Sequence, residues 1–66
     1  MAGKIKEMID QIIEKRAKGN PSIAKITRTK IVFKGIDPDE YTPDTEDDPE
    51  IIRKVQQIAD KFGVTL

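Results

Sequence analysis

Residues 20–36 read Asn-Pro-Ser-Ile-Ala-Lys-Ile-Thr-Arg-Thr-Lys-Ile-Val-Phe-Lys-Gly-Ile, and their folding decides the architecture. Two signals favour a helix over 21–34. Asn20 followed by Pro21 is a capping residue with proline at the first helical position. Gly35 followed by Ile36 is a stop with an apolar residue to close it. Two signals oppose it. Ile26, Thr27, Thr29, Ile31 and Val32 are β-branched and stiff at χ1. From Thr27 onward the residues also alternate, with Thr29, Ile31 and Phe33 on one face and Arg28, Lys30 and Lys34 on the other. A lone strand over 26–34 leaves its backbone groups unpaired unless a second chain supplies a partner. The matched stop signals at both ends favour the helix.

The flanking segments are plainer. Over 4–18, Ile5, Met8, Ile9, Ile12 and Ile13 recur at the spacing of one helix face, with Gly19 as the stop. Arg16 projects onto that stripe, where its stem covers apolar surface while its head stays in water. Over 48–62, Asp48 and Pro49 repeat the cap-plus-proline signal. Ile51, Ile52, Val55, Ile58, Ala59 and Phe62 then make an unbroken stripe, and Gly63 with Val64 ends it. Residues 36–48 hold two prolines and five aspartates and read as an acidic loop, with Tyr41 tucked against the core.

The fold expected is therefore all-α: a single small domain over 1–66, with helices at about 4–18, 21–34 and 48–62. The alternative is α+β, with residues 26–34 a strand paired across a dimer. Ile5, Met8, Ile9, Ile12, Ile13, Ile51, Ile52, Val55, Ile58 and Phe62 are the expected core.

With 66 residues the chain is marginal on its own, and small domains are usually reinforced by disulfides, metals or partner chains. There is no Cys and no His. Disulfides and thiolate or imidazole metal sites are thereby excluded, and self-association is the remaining ordinary route. A homodimer is expected, with the middle element facing the second chain through Ile23, Ile26, Ile31, Val32 and Phe33. The abundance of Ile, eleven against one Leu, reads as compositional bias more than as an oligomeric seam.

Net charge is zero, from twelve basic and twelve acidic residues, but the charges are segregated. Lys15 to Lys34 holds seven basic residues and no acidic one, and Asp37 to Glu50 holds eight acidic residues and no basic one. The favoured reading is that the acidic loop folds over the basic segment. The alternative is a helix-turn-helix-like nucleic-acid binder using the basic segment 15–34, with Lys25, Arg28, Lys30 and Lys34 on phosphates or base edges. The segment's one ring, Phe33, is assigned to apolar packing and not to base stacking.

Catalytic material is scarce: one Ser, one Tyr, and carboxylates in a loop with no apolar pocket to raise a pKa. Asp37-Pro38-Asp39 starts like a calcium loop, but Tyr41 and Thr42 stand where a further ligand and the glycine belong. No catalytic residue, metal or cofactor is expected. The function expected is a non-enzymatic protein-interaction and self-association module. No apolar run suits a membrane span and the N-terminus lacks a signal peptide's apolar core, so a cytoplasmic location is expected.

Overall fold

The structure, a computed structural model, describes residues 2–66. It is a small helical domain with α1 at Lys4–Ala17, α2 at Pro21–Phe33 and α3 at Pro49–Lys61. A short 3₁₀ turn at Pro38–Glu40 interrupts the acidic loop. No strand occurs among the described residues; the extended pairing there is a single bridge between Ala2 and Glu46.

The decisive stretch is helical. Asn20 caps α2, its side chain accepting from the backbone N–H of Ser22 at 2.9 Å and of Ile23 at 3.3 Å. The β-branched threonines that argued for a strand are accommodated within the helix. Thr27 and Thr29 donate their hydroxyls to the carbonyls of Ile23 and Lys25, one turn back, at 2.8 and 3.0 Å. At the other end Ile36 N–H donates to Ile31 O and Gly35 N–H to Val32 O. That is a Schellman closure, and it turns Ile36 inward over Ile31. Helix α3 ends the same way, with Val64 N–H donating to Ala59 O and Gly63 N–H to Asp60 O.

The acidic loop reaches α1 at its start. Gly3 N–H donates to Thr45 O and Lys4 N–H to the Asp47 carboxylate, both at 3.0 Å. A distant carboxylate thus satisfies one of the N–H groups that a helix start leaves free. Gly3 is left-handed, with φ 88°, and a Cβ there would lie 2.7 Å from the Pro43 carbonyl oxygen. Only glycine fits the approach without strain.

Helix α1 packs against both α2 and α3. Its Ile5, Met8, Ile9 and Ile12 meet Ile31, Ile36, Val55, Ile58, Ala59 and Val64 in one core. Of the expected core, Ile13, Ile51, Ile52 and Phe62 are only partly buried at its margin, as is Tyr41. Thr27 is the one buried polar residue among the described residues, and its hydroxyl donates within α2.

Candidate functional site

The positions expected to face a second chain divide. Ile31 is 1% exposed and belongs to this chain's own core, so it cannot serve as a contact for another molecule. Its neighbour Phe33 is 84% exposed, and Val32, Ile26 and Ile23 are also exposed. The difference follows from helical geometry. Thr27 and Ile31 lie one turn apart on the face turned to α1, and Ile23, Ile26 and Phe33 fall to one side of that face.

The expected phosphate contacts also divide. Lys30 follows Ile26 by one turn, on the same side of α2. Lys25 and Arg28 lie on the other side with Val32, and Arg28 is ion-paired with Asp39. The four do not converge on one surface.

A different set of cations does converge. The C-terminal ends of α1 and α3 and one side of α2 enclose an open cleft of about 540 Å³. Its walls carry Lys15, Arg16, Lys18 and Lys30, and no carboxylate is among the lining residues. Its floor is apolar, made by Ile23, Ile26, Phe62 and Val64. Two of the cations are anchored. Lys15 donates to the Thr65 carbonyl and Arg16 to the Phe62 carbonyl, the latter at 3.2 Å. Arg16 therefore does lie across apolar surface with its head outward, its guanidinium 6.0 Å from the centre of the Phe62 ring. Lys34 approaches the same ring at 6.0 Å. Lys34 also lines a second, smaller recess with Lys54 and Lys61, again without a carboxylate.

The acidic residues gather elsewhere. The bonds that Thr45 and Asp47 accept hold the loop at the start of α1, whereas the cleft lies at its end. Negative charge thus sits at the positive end of the α1 dipole, and Lys15 and Arg16 at its negative end. The acidic loop meets the basic segment in part: its 3₁₀ turn packs against α2, where Arg28 pairs with Asp39. The loop's carboxylates make the start of α1 an acidic pole and Lys15, Arg16 and Lys18 make its end a basic pole, although Lys4 and Lys6 lie at the first and Glu14 at the second.

Tyr41 lies beside the acidic pole. Burial raises its pKa, and the charges of Glu40, Asp48 and Asp37 raise it further. Among the described residues no group of three or more potential metal-ligating side chains comes together. No described helix is long and apolar enough to cross a membrane.

Lys15 and Lys18 lie in the basic segment with no separate role expected of them, Phe62 is among the expected core residues, and Val64 is expected only to close α3. The off-pattern Arg16 was the one signal in the sequence that pointed to the cleft. Comparison with protein-family models, curated proteins and solved structures finds no match.

Proposed function

We propose that this chain is a non-enzymatic protein-interaction module that self-associates through the end of α2. The observation that supports this best is Phe33, 84% exposed beside the exposed Val32. Burying a full Phe side chain contributes about 1.5–3 kcal/mol, and aromatic residues are enriched at interface centres. A second copy covering this turn would recover that free energy and stabilise a chain too short to build a large core. The cysteine-free composition suits a cytoplasmic setting.

Sedimentation equilibrium over a wide concentration range is the test. The mass is expected to rise from monomer to dimer with concentration. Phe33→Asp is expected to move that transition at least about tenfold upward, equivalent to about 1.4 kcal/mol. A monomer at every concentration, or a transition indifferent to Phe33→Asp, would remove the proposal.

A second reading, nucleic-acid binding, draws support from the cations of the cleft. It predicts affinity for duplex or single strands that falls steeply with salt. The apolar floor weighs against it, because phosphates make no use of such a surface.

A further inference from the structure

We propose that the cleft at the basic pole is a binding site for an acidic, amphipathic peptide segment of another protein. Neither Val32 nor Phe33 lines it, Phe33 lying about two turns beyond Ile26 on the same side of α2, and the site does not depend on self-association.

Three features define the ligand. The walls are uniformly positive, so it is anionic. Lys15 and Arg16 are already held by backbone carbonyls, so less side-chain freedom is lost when they meet carboxylates. The floor is apolar, with Ile23 39% and Ile26 54% exposed beside Phe62 and Val64, so the ligand presents apolar side chains as well. An open trough with an apolar floor and charged walls suits an amphipathic helix laid along it, apolar side down.

The other occupants fit less well. A second copy could offer its acidic loop, but apart from Pro43 the apolar side chains of that loop are engaged in its own fold. Ile36 and Pro38 are buried and Tyr41 is half-buried. The loop would bring carboxylates and leave the floor uncovered. A nucleic-acid strand would use the cations and seek a ring to stack upon. The Phe62 ring already has Arg16 and Lys34 at 6.0 Å from its centre.

The probe is a fluorescein-labelled helical peptide with Leu and Phe at i, i+3, i+4 and i+7 and Glu elsewhere, read by anisotropy on the full chain. Comparison probes are the same composition scrambled, the same stripe with Lys in place of Glu, and a DNA duplex. Amide shifts in two-dimensional NMR report the location. Binding is expected for the Glu-stripe peptide alone, with shifts concentrated at residues 15–18, 23–30 and 62–64. Lys18→Glu with Lys30→Glu is expected to weaken it at least about tenfold, as is Ile26→Asp. Lys25→Glu, on the other side of α2, is expected to leave it unchanged. Should a charge reversal disturb folding, judged by circular dichroism, Lys18→Gln with Lys30→Gln makes the same comparison with a smaller loss.

Equal binding of the scrambled peptide would overturn the proposal, as would a peptide indifferent to the cleft variants. Duplex binding that depends on Lys18 and Lys30 without peptide binding would assign the cleft to nucleic acid instead. Loss of dimer mass in those variants without peptide binding would assign it to a second copy. Phe33→Asp separates the two readings, since it is expected to weaken the dimer at least about tenfold and leave peptide binding intact.

Discussion

Ile31 and Phe33 are two residues apart on α2, and the structure gives them opposite weights. Phe is the larger side chain, and by side-chain size alone it would be the costlier to truncate. Phe33 is 84% exposed, so only roughly a sixth of its surface is out of water. Against about 1.5–3 kcal/mol for full burial, Phe33→Ala is expected to cost no more than about 0.5 kcal/mol in the monomer. Ile31 is 1% exposed, between α1 and the Ile36 closure. Ile31→Ala removes buried methyl groups and leaves a cavity, at about 2–5 kcal/mol. A chain of 66 residues has a typical total stability of about 3–10 kcal/mol, so that loss is a large share of the whole. Ile31→Val, at about 0.5–1.5 kcal/mol, gives a measurable intermediate. The assay is urea unfolding followed by circular dichroism in dilute solution, where association contributes least, with the slope m checked for constancy. At higher concentration the Phe33 variant is expected to fall further behind the parent while the Ile31 difference stays fixed. Equal losses for Ile31→Ala and Phe33→Ala in dilute solution would refute the assignment of faces on α2.

Asn20→Ala removes the acceptor for two N–H groups and is expected to cost about 1 kcal/mol in the same urea assay. Gly3→Ala is expected to cost more than about 1–2 kcal/mol, because the left-handed backbone is joined by the approach of the Pro43 carbonyl; a neutral result would mean that the loop does not seat there. Tyr41 is the sole tyrosine, so tyrosinate absorbance reads it directly. Its midpoint is expected above the ordinary value of about 10 in the folded chain and back at about 10 in urea. Since the folded pKa is the higher, this group's contribution to stability is fully present below about pH 10 and is lost as pH rises through the folded midpoint. Identical midpoints in the two states would show that the ring is not held against the core.

The helix ends were legible because caps are local chemistry. Asn20-Pro21 and Asp48-Pro49 specify a start, and Gly35-Ile36 and Gly63-Val64 specify a stop, whatever surrounds them. Boundaries at Ala17, Phe33 and Lys61 fall one residue inside those expected. The faces of α1 and α3 were legible because each has a single apolar stripe. Helix α2 has none: Ile23, Ile26, Ile31, Val32 and Phe33 point several ways, and periodicity alone cannot say which of them meets α1. Packing decides in favour of Thr27 and Ile31, and the larger Phe33 is left outside. The cleft was illegible for a different reason. Its parts come from residues 15–18, 23–30 and 62–64, and only the tertiary fold makes them neighbours.

The arrangement of charge about α1 has a physical consequence that a net charge of zero conceals. The helix has 14 residues and is about 21 Å long at about 1.5 Å per residue. The Debye length at physiological salt is about 8 Å. The two ends are therefore too far apart to cancel each other's field for anything approaching the surface. Each acts as an independent patch, so the molecule should be retained by anion and cation exchangers alike at its isoelectric point. It should also present itself to a charged surface end-on, oriented before contact.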